Sequence, residues 1–274
     1  MSTSSSRPVL RVSEEGRVAL SDLLPTEEPI EFRLQGVPIA VLMRTPGHDE
    51  ELARGFALTE GIILHPEELA EVRALPGLDG AGRYDLVLAE GIRVDEEQFR
   101  RNLYATSSCG VCGKASIDAV RVAAPPLPAG PVIPGGLLQD LMESMRSAQA
   151  GFDATGGLHA AAAFTGEGEF LGAREDVGRH NAMDKLVGRL SSRRWPMGEM
   201  VVTVSGRVSF ELVQKAAVAG ISILAGVSAA SSLAVDLADE LGLTVAGFVR
   251  PGGFNLYTHP HRIASQDERP PTDD

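Results

Sequence analysis

VVTVSGR at 201–207, ISILAGVS at 221–228 and LTVAGFVR at 243–250 are three short apolar runs, each closed by serine, glycine or arginine. A run that is apolar at nearly every position, rather than at every second one, suits a strand covered on both faces. Between them, Ser209 to Ala219 and Ser231 to Leu241 carry helical spacing. Strand, helix, strand, helix, strand at this pitch predicts right-handed crossovers and a parallel sheet. Such sheets take ligands beyond the carboxyl ends of their strands. Here those ends are Ser205-Gly206-Arg207, Val227-Ser228, and the stretch Phe248, Val249, Arg250, Pro251, Gly252, Gly253.

Working outward, IEFRLQGVPIAVLMR (30–44) predicts a β-hairpin, with Gln35-Gly36 at the turn. Asp49 to Thr59 has acids in its first turn and apolar residues at Leu52, Phe56 and Leu58, a helix signature. A strand is expected over 84–90 and a helix over 137–149. The proline-rich APPLPAGPVIPGG (124–136) reads as a linker. The expected organisation is therefore a disordered tail over 1–20, an α+β part over 21–125 with the hairpin, a C-terminal α/β part over 126–262, and a disordered tail over 263–274. The small residues after Gly156-Gly157-Leu158-His159 are expected to pack tightly in a helix.

The chain has 274 residues, 43% of them hydrophobic, and a formal charge of −12. Residues 1–100 hold 10 Lys/Arg against 19 Asp/Glu, whereas 101–262 are balanced. No broad basic face follows, which argues against nucleic acid as a partner and leaves room for a local anion site. The N-terminal MSTSSSRPVL lacks an apolar signal core and no long uninterrupted apolar stretch exists, so the expectation is a cytoplasmic protein without a membrane span.

Both cysteines, Cys109 and Cys112, lie in TSSCGVCGKAS at 106–116. In a reducing compartment such a pair is more often chemical than structural. Gly110 and Gly113 give the thiols reach, and Lys114 favours the thiolate. A thiolate here can attack a sulfur donor, hold sulfur as a persulfide and yield it to an acceptor. Zinc is the competing reading, but one Cys-x-x-Cys supplies two of four ligands and no His-x(3–5)-His partner follows. His48-Asp49-Glu50 matches the first half of a zinc deaminase signature, while Ser108 stands where the second half wants proline. A thioredoxin-type pair would open a helix within a βαβ unit, and the clear units lie a hundred residues later.

REDVGRHNAMDKLVG (174–188) crowds charged and polar side chains. On a helix, His180 and Asp184 share one face, as do Asn181 and Lys185. Any one of these is an ordinary surface charge; with His180 and Asn181 included, the cluster is a candidate site. At the strand ends, Arg207 and Arg250 together with free backbone amides suit a phosphorylated ligand, although neither a Walker loop nor a Gly-x-Gly-x-x-Gly fingerprint is present.

Taken together, residues 27–63, TSSCGVCGKASID (106–118), GGLHAAA (156–162), REDVGRHNAMDKLVG (174–188) and 205–259 resemble the formate dehydrogenase accessory sulfurtransferase family, FdhD. The resemblance implies an α/β protein with a cytidine deaminase-like core. It implies a sulfurtransferase that accepts persulfide sulfur from a cysteine desulfurase and passes it to the molybdenum cofactor of formate dehydrogenase, in its bis(molybdopterin guanine dinucleotide) form, which a guanine nucleotide would mimic. Cys109 falls on the family's persulfide position, with Cys112 its companion; Phe248 to Gly253 fall on the cofactor-binding stretch. Arg207 would hold phosphates beside Arg250, with His180 and Asn181 lining the site. A homodimer is implied by the resemblance alone.

Overall fold

A computed structural model describes residues 2–77, 82–94, 127 and 129–264. The cysteine stretch 106–116 lies outside the described residues. Among the described residues, a six-stranded and a four-stranded sheet, two two-stranded ribbons and six α-helices organise the chain.

The N-terminal sheet has strands β3 (Glu28–Leu34), β4 (Val37–Arg44), β5 (Leu69–Ala74) and β6 (Gly82–Leu88), in the order β4-β3-β6-β5. The hairpin predicted over 30–44 is β3–β4. Both of its turn residues have positive φ, 50° at Gln35 and 83° at Gly36, the geometry that closes a two-residue hairpin on twisted strands. Helix α1 (Asp49–Thr59) covers this sheet and carries the chain towards β5.

The C-terminal sheet has six strands in the order β13-β12-β11-β10-β8-β9. Strands β8 (His159–Thr165) and β9 (Phe170–Asp176) form one antiparallel edge. Strands β10 (Met200–Val204), β11 (Ile223–Gly226) and β12 (Thr244–Arg250) run parallel, and β13 (Gly253–Leu256) returns antiparallel on β12. This is the expected α/β architecture with its parallel strands in the C-terminal part.

Double-sided burial explains the continuous apolar runs. Met200, Val202, Leu224 and Val245 face one core, while Val201, Ile223, Ala225 and Ala246 face another. Helix α2 (Gly135–Ser147) supplies Leu138, Leu141, Met142 and Met145 to the second core; the short α3 (Ala150–Thr155) follows it. Helices α4 (Arg179–Ser191), α5 (Phe210–Val218) and α6 (Ser232–Leu241) cover the opposite face. That first core runs on through α1 into the four-stranded sheet, reaching Ile30, Phe32 and Leu86, so one apolar interior joins the two sheets. Each buried aliphatic contributes about 1.5–3 kcal/mol over its exposed state.

Three expectations are corrected. Residues 160–163, expected in a helix, lie in the middle of β8. Alanine favours helices locally, but here its small side chain lets helix and sheet approach: Ala161 and Ala163 face the core that holds α4, Ala160 and Ala162 the core that holds α2. Residues 4–20 are not a tail: β1 (Ser4–Ser13) and β2 (Gly16–Pro25) pair in ten-residue register around a turn at Glu14-Glu15, and β2 opens at Gly16 with φ 127°. The proline-rich linker also contains a short strand, β7 (Ile133–Pro134), which pairs with β14 (Ile263–Ala264), so residues 263 and 264, expected in the C-terminal tail, lie in a strand.

Candidate functional site at the carboxyl ends of the parallel strands

The chain beyond each parallel strand is stitched to its neighbour. Val208 donates to Ala229 O and Ser231 to Val208 O, forming an isolated bridge between Val208 and Ala230; the Phe248 amide donates to Ser228 O. These bonds fix a rim over which Arg207, Phe248 and Arg250 are exposed. Strands β10 and β12 flank β11, so the strands that lead to the two arginines lie about 10 Å apart, two strand spacings.

Phe248 is held at φ 54° where the register of β12 against β13 shifts between Gly247 and Arg250. The bulge turns its ring outward, leaving it 41% exposed. Gly247 has no room for a side chain: a Cβ there would meet Ser228 O and the Tyr257 ring at 2.9 Å. Val249 points the other way and is 2% exposed within the α2-facing core, so it offers a ligand only backbone. Pro251 and Gly252 are exposed, Gly253 is partly so, and Gly252 N donates to Gln139 Oε1 at 3.3 Å. Gly252 has φ 92°, the left-handed region in which glycine turns the chain without strain.

Two helices begin at this rim. Helix α5 starts after Ser209 and α6 after Ser231, the two starts marked in the sequence. His180, in the first turn of α4, brings a third element in: its Nε2 lies 3.2 Å from Ser209 Oγ and 3.3 Å from Glu211 Oε2. Both contacts use the same nitrogen, so the trio cannot relay a proton from serine through imidazole to carboxylate; it pins α4 to α5. Burial pushes the Glu211 carboxyl up, but the hydrogen bond and charge of His180, with Ser209, outweigh it and bring the pKa to about 2.

Asn181 does not line the rim. It is 7% exposed, and its Nδ2 donates to Met43 O at 2.8 Å and to Asp176 Oδ1 at 3.0 Å. Asp176 also accepts from Thr45 N and pairs with Lys185 Nζ at 2.7 Å, while Lys185 donates to Thr45 O. Much of the REDVGRHNA stretch therefore clasps the chain between β4 and α1. His180 alone of the two reaches the strand ends.

Two residues outside the predicted set join the site. A Cβ on Gly206 would sit 3.4 Å from His159 Nδ1 and 3.7 Å from Arg179 Cδ. Burial, then the charges of Arg179 and His180, lower the His159 pKa, which keeps that ring neutral. The Arg179 Nε is buried without a hydrogen-bond partner among the described residues, which leaves a donor for an incoming acceptor. The signal for both was local: His159 follows Gly156-Gly157, and Arg179 adjoins His180. With Arg207, Arg250 and Arg179 against Glu211, the rim suits an anionic ligand bearing a planar ring that Phe248 can stack. No helix among the described residues is long and apolar enough to cross a membrane.

An α/β protein that presents a cationic, aromatic rim at its parallel strand ends is the class these features define. The FdhD/NarQ family model matches residues 25–264, and the chain belongs to that family. Among curated relatives, the sulfur carrier protein FdhD of Streptomyces avermitilis is 50% identical, covering 94% of this chain and 95% of its own. That of Mycolicibacterium paratuberculosis is 48% identical over 96% and 100%, and one from Anaeromyxobacter dehalogenans is 44% identical over 89% and 90%. A crystal structure provisionally described as a formate dehydrogenase accessory protein, from Desulfotalea psychrophila, superposes with a TM-score of 0.76. It is 23% identical over 96% of this chain and all of that one, a likeness of fold.

Proposed function

We propose that this protein is a sulfur carrier that takes persulfide sulfur from a cysteine desulfurase and delivers it to the molybdenum cofactor of a formate dehydrogenase. The observation that carries the reading is identity near one half, over nearly the whole length, to proteins named sulfur carrier protein FdhD. The cofactor is the acceptor substrate here, not a resident group.

The Cys109 thiolate attacks the terminal sulfur of the donor's persulfide. A new S–S bond forms at Cys109, the donor's S–S bond breaks, and the donor leaves as a thiolate, with no net oxidation. Lys114, five residues on, favours the attacking thiolate. Cys112 assists by relaying the sulfur or resolving the persulfide. The acceptor's pyrophosphate groups are taken by Arg207 and Arg250, with the Gly252 and Gly253 backbone approaching closely and Phe248 against a flat ring. His180 positions the rim through Ser209 and Glu211. The same reading makes the protein a cytoplasmic homodimer.

The test is the intact mass of the protein after incubation with a cysteine desulfurase and free cysteine. A gain of one sulfur, removed by reductant and absent from Cys109→Ala, is expected. No gain, together with full activation of formate dehydrogenase by a Cys109→Ala/Cys112→Ala variant, would overturn the carrier reading and leave a cofactor-binding chaperone.

A further inference from the structure

Two polar side chains beside the rim, His159 and Arg179, are left unpaired. His159 opens β8, which runs antiparallel to β10, so it stands next to the carboxyl end of β10. Ala160 N donates to Ser205 Oγ at 2.8 Å and Ser205 N to Ala160 O at 2.9 Å, which fixes that junction. Arg179 reaches the same place from the first turn of α4. Among the described residues neither side chain makes a hydrogen bond or an ion pair, and the Arg179 Nε is buried as well. Gly206 lies between them: a Cβ there would meet His159 Nδ1 at 3.4 Å, His159 Cε1 at 3.5 Å and Arg179 Cδ at 3.7 Å. Polar groups drawn partly out of water call for a partner.

The order of the strands says which part of a ligand that partner is. Phe248 and Arg250 belong to β12, Arg207 follows β10, and His159 belongs to β8. Strands β12 and β8 are three spacings apart, about 14 Å. A ligand with its flat ring on Phe248 and its phosphates on Arg250 and Arg207 therefore points past Gly206 towards His159 and Arg179. We propose that these two residues hold the third part of the acceptor, the metal-bearing end that receives the sulfur. That end presents terminal oxygen or sulfur atoms, which accept hydrogen bonds, and it meets donors here. Arg179 offers its guanidinium, and His159, neutral beside the charges of Arg179 and His180, offers one N–H. The missing side chain at Gly206 keeps the space between them open. This assignment rests on the acceptor proposed above and adds the direction in which it lies, guanine towards β12 and metal towards β8.

Calorimetry on the full chain with two ligands tests it. Guanosine diphosphate carries the ring and the phosphates; the bis(molybdopterin guanine dinucleotide) cofactor adds the metal-bearing end. The readout is the ratio of the two affinities, and wild type should bind the cofactor more tightly. His159→Ala/Arg179→Ala should cut that ratio about tenfold or more, the effect of losing charge-assisted hydrogen bonds. Arg207→Ala/Arg250→Ala should instead weaken both ligands and leave the ratio within about twofold, because the two pairs act on separate parts of the ligand. Gly206→Ala removes no polar group and brings its Cβ no closer than 3.4 Å to its neighbours; it should lower the ratio by filling the gap. The thermal midpoint of His159→Ala/Arg179→Ala should match wild type, since no hydrogen bond among the described residues is lost; if that variant unfolds, Gly206→Ala decides. A wild type that binds neither ligand would overturn the reading of the rim itself. A wild type that binds both equally, or a ratio that the substitutions at His159, Arg179 and Gly206 leave unmoved, would overturn the direction alone.

Discussion

The seam where α1, α4 and α5 meet and the rim beyond the parallel strands both carry basic side chains, yet they use them in opposite ways. At the seam, Lys215 is buried and donates to Thr59 Oγ1 at 3.0 Å, Glu60 Oε1 at 2.8 Å and Asp184 Oδ2 at 3.0 Å. Thr59 in turn donates to Asp184 Oδ1. Burial works against the ammonium, but the two carboxylates outweigh it and hold the lysine above its ordinary range. Every charge there has its partner within the fold. At the rim, Arg207 and Arg250 are exposed and the Arg179 Nε is without a partner. Cations already neutralised hold the fold together; those left open can hold a ligand.

That contrast is broken most directly at Lys215. Lys215→Ala removes the counter-charge from buried Asp184, and the loss should be about 3–5 kcal/mol, read as a fall in the urea midpoint with an unchanged slope. A loss below about 1 kcal/mol would mean that water replaces the ammonium and that the seam is not dry. Next in size is the helix crossing beside it. A Cβ on Gly55 would fall 1.8 Å from Asp184 O, and one on Gly188 1.8 Å from Glu51 O. Those atoms are backbone and cannot swing away, so Gly55→Ala must part α1 from α4. About 1–3 kcal/mol or more of overpacking should follow, with the same denaturation as the check.

How far these roles were legible in the sequence depends on the scale of the signal. The parallel strands were readable because burial on both faces demands apolar residues at every position, and the 30–44 hairpin because its turn needs two positive φ values. The clasp made by Asp176, Asn181 and Lys185 was not. Its partners, Met43 O and the Thr45 backbone, lie more than 130 positions away, and spacing within one helix cannot distinguish a ligand from a distant loop. The alanines of β8 misled for a related reason, since their strand conformation is imposed by helices on both sides. The β1–β2 ribbon was missed because its strands show no apolar alternation: Ser4-Ser5-Ser6 open the first, and Leu23 and Leu24 stand side by side in the second.

Between seam and rim stands Glu211, and it gives a smaller test. Its carboxyl is depressed from 4.5 to about 2. It therefore contributes stability that is fully present above pH 4.5 and is lost as pH falls through about 2. Glu211 is partly solvated, so the contribution is about 1 kcal/mol after screening. Glu211→Gln should flatten the fall in stability between pH 4.5 and 2 by that amount, measured by urea unfolding across the range. An unchanged profile would mean that His180 does not hold the carboxylate in solution.

The smallest effect on stability, and the sharpest on function, belongs to the rim. Arg207→Ala/Arg250→Ala should change unfolding by no more than about 0.5 kcal/mol, since both side chains are exposed and outside the core. The same pair should weaken binding of guanosine diphosphate by tenfold or more, because a charge-assisted hydrogen bond to phosphate contributes about 1.5–3 kcal/mol. Calorimetry with the nucleotide reads one and denaturation the other. The diagnostic result is a dissociation: Lys215→Ala costs fold stability, while the arginine pair costs affinity and leaves the fold unchanged. If the arginine pair unfolded the protein, the rim would be structural like the seam, and the acceptor would have to be sought elsewhere on the molecule.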